Sequence, residues 1–532
     1  MMKLVRCLYL ALLGLLILPS TAAEIIDFPN DDLDMLLELP ENGPTRSITS
    51  LAALELILAL DLNEIMARDF FARTNSLNKR PIETLPLFWL IPKKCENLNW
   101  NIRGHLFGNI NPKLYLSPHG TTLKDYLQLN KEFFEGLDDD LFDIMTVLEP
   151  IAPGKIQERR FGVMLQTFKQ WHHWSLEALA GLMYDERNYY YTPEETAVIQ
   201  SSFQAENTSN TTPGSGPGDN FDPIIRNHFV SDKLGITDLQ LKLRRPYYPD
   251  HKWYLNLGIL STIPTAFAIK NGLYGANFVN RSTRPDIDIK RIIDLYQEYD
   301  INGNKQALQE LETIFKNVAF QCLDRLGENL LQTPLGNGGH FGLGLLFEPQ
   351  YRHNDYVNVP CSLSFEYLFP ATENRFYIYN KDPELFTTEA LEAHDDEEKA
   401  REILNFLGQQ AINTIYQEKR LVKVKPGFTC QFQIAPEINI NDCLLTIGYD
   451  FWFRRKEQLG KFANGSPTDN QQLNTALNLP FSAYQQDLFL KLCHKKINRT
   501  YDRYLGIGLE QSVTTHGLSK DFSATLVFEI NY

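Results

Sequence analysis

The sequence predicts an all-β fold, a transmembrane antiparallel β-barrel of about 14 strands, with 12 as the alternative. Three observations carry that expectation. Short stretches throughout the chain alternate apolar and polar residues with period two. Short turns alternate with long connections from about residue 92 onward. The chain also opens on an export leader and closes on a strand that ends in an aromatic residue, Tyr532.

The leader has the expected parts in order. Lys3 and Arg6 form a positive head, and Leu8 to Leu18 an apolar run. Pro19 and Ser20 break the run before the small residues Thr21-Ala22-Ala23, which suit a signal peptidase. The run is too short to span a bilayer. Residues 1–23 are therefore expected to be removed near Ala23, residues 24–62 to form a periplasmic or plug-like segment, and residues 63–532 the barrel. That places the protein in a bacterial outer membrane, with the lipid bilayer and the outer-membrane assembly machinery as partners.

Composition narrows the function. The chain carries 51 basic and 66 acidic residues, net −15, with no basic cluster, which argues against nucleic acid. The cysteines beyond the leader show neither CxxC spacing nor the density of a disulfide scaffold. Histidines are scattered and Asp138-Asp139-Asp140 reads as a solvated run, so neither metal nor cofactor is expected.

The strand pattern is clearest at the carboxy terminus. Phe522, Ala524, Leu526, Phe528, Ile530 and Tyr532 share one face, opposite Ser523, Thr525, Val527, Glu529 and Asn531. Leu445 to Phe453 alternates in the same way, as do Leu239, Leu241 and Leu243 and the run Val359 to Tyr367. Alternation alone fits a soluble sandwich as well as a membrane barrel. Loop rhythm separates them. Tight turns fall at Gln170-Trp171-His172, Pro246–Pro249, Tyr351–Asp355 and Asn439–Asp442, and long segments lie between. With tight turns at the periplasmic end, strands are expected near 98–109, 157–169, 172–186, 234–245, 251–263, 339–349, 356–369, 424–436, 442–455, 484–494, 502–512 and 522–532. Weaker ones near 63–74 and 83–91 would complete an even set. Amphipathic helices are expected at 287–299, 305–331 and 388–417, able to cap the mouth or fold inward, and 207–220 is a low-complexity loop.

Several charges fall on the polar faces of these strands: Arg160, Glu177, Asp238, Lys242, Arg244, Glu366, Asp450, Arg454 and Glu529. A charge facing lipid near the midplane costs about 2–4 kcal/mol, so these residues are expected to line the lumen. They would either select solutes in an open channel or pair with one another and fill it. The aromatic terminal strand, through Phe528, Ile530 and Tyr532, resembles the signal read by barrel-assembly machinery, since a closing edge strand must pair. His173 and Ser175 could share a strand face as base and nucleophile, but neither an orienting residue nor an oxyanion donor can be placed, so no enzyme is expected.

The stretch GITDLQLKLRRPYYPDHKWYLNLGILSTIPTAF from Gly235 to Phe267 resembles a hairpin of outer-membrane barrels of the long-chain fatty-acid and aromatic-hydrocarbon channel type, which read "GxGDxxL" and "LPTG". Ile236-Thr237-Asp238 and Ile263-Pro264-Thr265-Ala266 depart from those patterns. The elements Glu158–Gly162, Leu335–Asn337 with His340–Gly344, Glu366–Ala371 and Gly448–Trp452 resemble an uncharacterised outer-membrane family. The resemblance implies a fourteen-stranded barrel and a channel or transporter for small or hydrophobic solutes, open or plugged. A structural or adhesive surface barrel stands second and a barrel-embedded lipid hydrolase third.

Overall fold

A computed structural model describes residues 80–88, 100–114, 153–171, 173–197, 228–249, 251–278, 283–286, 288–332, 335–354, 356–380, 412–413, 416–465, 470–474, 482–497 and 502–531. In chain order the strands are β1 (Trp100–Asn111), β2 (Lys155–Trp171), β3 (Trp174–Tyr190), β4 (Val230–Ile236), β5 (Leu239–Tyr247), β6 (Trp253–Ile263), β7 (Phe267–Asn271), β8 (Gly342–Arg352) and β9 (Val357–Leu368). They continue as β10 (Ala371–Tyr377), β11 (Glu418–Lys425), β12 (Gly427–Ile434), β13 (Glu437–Ile440), β14 (Cys443–Arg454), β15 (Gln458–Phe462), β16 (Ala483–Ile497), β17 (Asp502–His516) and β18 (Phe522–Asn531). Two helices, α1 (Ile289–Asn302) and α2 (Lys305–Leu330), lie between β7 and β8.

Neighbouring staves run antiparallel, and β1 pairs with β18 from Asn101↔Asn531 to Ile110↔Phe522, which closes the sheet into a 12-strand barrel. Closure leaves the staves no free edge, the condition for a sheet in lipid. Two extensions continue beyond the rim. The β4–β7 pair extends β5–β6 past a bend at Thr237-Asp238, and the three-stranded sheet β10-β11-β15 extends β9, β12 and β14.

Twelve of the expected strands are present, and the count of 12 rather than 14 has a local cause. The stretch expected as a strand near 83–91 instead forms two single helical turns, Ile82–Thr84 and Pro86–Phe88, whose apolar residues are all buried. Pro81 and Pro86 each remove a backbone donor, which suits the start of a helical turn better than a central strand. The other weak strand, near 63–74, lies outside the described residues, as do the leader, residues 24–62 and the helix expected at 388–417 except for a few residues at its end. The helices expected at 287–299 and 305–331 are α1 and α2. Asp288 and Asn304 cap them, each accepting a backbone N–H of the first turn.

Alternation sorts the wall. Leu106, Leu165, Ile259, Leu345, Ile447, Leu490, Ile507 and Leu526 all point outward and are exposed, one or more on most staves. A soluble protein does not carry a continuous apolar ring of this kind, so the outer face meets lipid. No described helix is long and apolar enough to cross a membrane; the strands do so.

Candidate functional site

The interior holds a segment that belongs to no strand. Arg80–Phe88 sits inside the wall, with Ile82, Leu85, Leu87 and Phe88 at 1–2% exposure. Ile82, Leu85 and Phe88 pack in a cluster with Phe107, Met164, Leu179, Met183 and Leu335, and Leu87 packs on Ala435 and Phe489. The Phe88 ring meets His105 and Phe107 edge-on at 5.1 and 5.5 Å.

Ionic contacts fix the other end. The Arg80 guanidinium lies 2.6 Å from an Asp450 oxygen and 2.8 Å from one of Asp487, with both acids fully buried. Its Nε donates to Thr84 Oγ1 at 3.0 Å, and the Trp452 ring lies 5.9 Å away. Glu510, on the adjacent stave, points into the same region, and among the described residues neither of its oxygens accepts a hydrogen bond. The wall in turn satisfies the segment's backbone. Arg160 donates to the Arg80 carbonyl and Gln431 to the Thr84 carbonyl, both at 2.8 Å. Buried carbonyls need such partners.

Asp238 ties three elements together. One carboxylate oxygen accepts the Ala266 N–H at 3.1 Å and the other the Asn337 N–H at 2.7 Å, while its own N–H donates to Glu83 at 3.1 Å. The bend in both strands of the hairpin is thus pinned to the turn before β8 and to the inserted segment. A Cβ at Gly336 would lie 2.2 Å from the Asp238 carboxylate, so only glycine allows that approach. Burial pushes the Glu83 carboxyl up to about 7, and the nearby Asp238 charge adds to it.

The other expected interior residues fall into separate groups. Arg160 donates to Asn109 and lies 3.7 Å from Asp521. Glu177, Lys242 and Arg244 come together with Glu348: Arg244 meets Glu177 and Glu348 at 2.8 Å each, and Lys242 meets Glu177 at 3.6 Å. Glu366 accepts from Thr262 at 2.6 Å. Glu529 pairs with Arg103, an ion pair across the β1–β18 seam. Arg454 is buried at the rim, on the stave that continues into β15. Of the residues expected to signal assembly, Phe528 points outward and is exposed, Ile530 is half-buried on the same face, and Tyr532 lies outside the described residues. His173 is exposed in the β2–β3 turn whereas Ser175 is buried in the wall, so they are not presented together.

Alternation in the expected strands could have found Asp487, Glu510, Glu348 and Glu158, all on polar faces. Arg80 carries no such signal, because its role depends on a segment that joins no sheet. Among the described residues no group of acids, histidines and cysteines is arranged to hold a metal.

A closed antiparallel barrel with an apolar exterior and a paired, buried interior is a transmembrane β-barrel. Its neighbours among solved structures are outer-membrane hydrocarbon channels and related barrels. An outer-membrane channel from Pseudomonas putida F1 shares 8% identity over 84% of this chain and 100% of its own, at TM-score 0.39. The toluene transporter of Ralstonia pickettii shares 8% over 82% and 90%, at 0.32, and that of Pseudomonas putida 9% over 87% and 94%, at 0.28. No family model matches the chain, and no curated protein matches it in sequence. At these scores the likenesses carry no functional weight, so the reading rests on the barrel itself.

Proposed function

We propose that the protein is an outer-membrane channel for small or hydrophobic solutes, held closed by Arg80–Phe88, with that segment as its gate. The observation that carries this reading is how the segment is held. Each stave is fixed by ladder hydrogen bonds on both sides, whereas Arg80–Phe88 joins no ladder and is held by side-chain packing, one arginine and a few capped backbone groups. It is the part of the interior that can leave without breaking the wall. Withdrawal would uncover Phe107, Met164, Leu179 and Met183 beside Asp450 and Asp487. An apolar surface of that kind suits a hydrophobic solute better than a hydrated ion. The nine polar-face charges from Arg160 to Glu529 are proposed as the lining, and Phe528, Ile530 and Tyr532 as the signal read at assembly.

The test is planar-bilayer recording and liposome uptake of a small apolar solute, comparing the refolded mature chain with a variant lacking residues 24–88. The expected outcome is small conductance and slow uptake in the parent, both rising in the deletion. A deletion variant that folds yet passes neither ions nor solute would favour a structural surface barrel.

A further inference from the structure

The outer face at the short-turn end carries a second feature, unrelated to the lumen. Lys169 on β2 points outward, with its ammonium 4.4 Å from the Trp100 ring on β1 and 5.4 Å from that of Trp171. Two staves along, Arg245 on β5 points outward, 5.9 Å from the Trp174 ring and 5.4 Å from Tyr247. The register makes the group continuous, since Trp100 faces Lys169 and Trp171 faces Trp174 across their ladders. All three tryptophans are more than 40% exposed. On the other side of the seam, the neighbouring outward pair Lys496↔Arg503 adds two more cations at the same end.

Among the described outward-facing strand residues at this end there is no Asp or Glu, although the chain as a whole is acidic at −15. The acids of these strand ends, such as Glu177 and Glu529, are turned inward onto arginines. Cations on a lipid-facing surface are tolerated only near the interface, and tryptophan favours that same depth. Among the described outward-facing strand residues, a cation held over indole rings there meets no acid as counter-charge, and the interfacial depth that tryptophan favours is that of the lipid phosphates.

We propose that this patch is a binding site for anionic phospholipid, with Lys169 and Arg245 taking the headgroup phosphate and Trp100, Trp171 and Trp174 flanking the glycerol and upper acyl chain. The proposal rests on the outer face meeting lipid, but not on the lumen conducting.

The test is native mass spectrometry of the full mature chain in detergent, titrated with phosphatidylglycerol and with phosphatidylcholine. The parent is expected to hold phosphatidylglycerol in preference. A basic residue at an anionic surface contributes about fivefold in affinity, so Lys169→Gln with Arg245→Gln should weaken phosphatidylglycerol binding roughly 25-fold and leave phosphatidylcholine binding unchanged. Lys169→Arg should retain the preference. Equal binding of the two lipids by the parent would overturn the proposal without recourse to any variant. So would an unchanged preference in a double variant that still runs as a compact, heat-modifiable barrel.

Discussion

Replacing Arg80 with alanine separates the ionic from the apolar hold on the inserted segment. Arg80 is buried between Asp450 and Asp487 at 2.6 and 2.8 Å. Removing one partner of a buried ion pair costs about 3–5 kcal/mol, because the acids left behind stay desolvated. If that cost falls on the seated state alone, the open-to-closed ratio rises by roughly two to four orders of magnitude. Against it stand four buried apolar side chains, Ile82, Leu85, Leu87 and Phe88, each contributing about 1.5–3 kcal/mol, or roughly 6–12 kcal/mol together as an upper estimate. The apolar term is the larger, so Arg80→Ala should loosen the segment without expelling it. In single-channel recordings we expect brief openings in Arg80→Ala and sustained ones once Leu87→Ser and Phe88→Ser are added. Arg80→Met combined with Asp450→Asn and Asp487→Asn should be quieter than Arg80→Ala, because the charges are removed together. Large steady conductance in the parent would refute the reasoning, as would an Arg80→Ala, Leu87→Ser, Phe88→Ser variant that traces like the parent.

Other consequences can be checked independently. The Glu83 carboxyl sits at about 7 when seated, against 4.5 for an ordinary glutamate. Seating therefore binds a proton, is favoured fully below 4.5 and weakens as pH rises through 7, by about 3 kcal/mol in all. Conductance should be higher at pH 8 than at pH 5, and Glu83→Gln should reduce the difference; a pH response unchanged in Glu83→Gln would assign it elsewhere. Arg244→Ala leaves Glu177 and Glu348 buried without their shared cation and should destabilise the barrel by about 3–5 kcal/mol in urea unfolding. Removing Lys242 and Arg244 should shift selectivity toward cations once the lumen is open, to be measured in the deletion of 24–88. Phe528→Ser with Tyr532→Ser should lower the yield of heat-modifiable barrel, and a normal yield would refute the assembly-signal reading.

What the sequence determines by itself is whatever depends on neighbours along the chain. A strand's two faces are written in period two, so Leu526 and Phe528 outward with Glu529 inward could be read directly, as could Asp238, Lys242 and Arg244 on one face of their hairpin. Helices α1 and α2 were legible for the same reason, from the amphipathic period over 287–299 and 305–331. Tertiary structure alone decided which polar residues meet. Arg103 and Glu529 are 426 positions apart, and Arg80 and Asp487 407, because the β1–β18 seam and the inserted segment join distant parts of the chain. It also decided the strand count. The stretch near 83–91 holds enough apolar residues to pass for a weak strand, and only a closed ring of 12 staves with no vacant edge leaves its described part, up to Phe88, nowhere to go but the interior. There a short apolar segment is stabilised by burial on all sides, and an arginine becomes tolerable because the wall supplies its counter-charges.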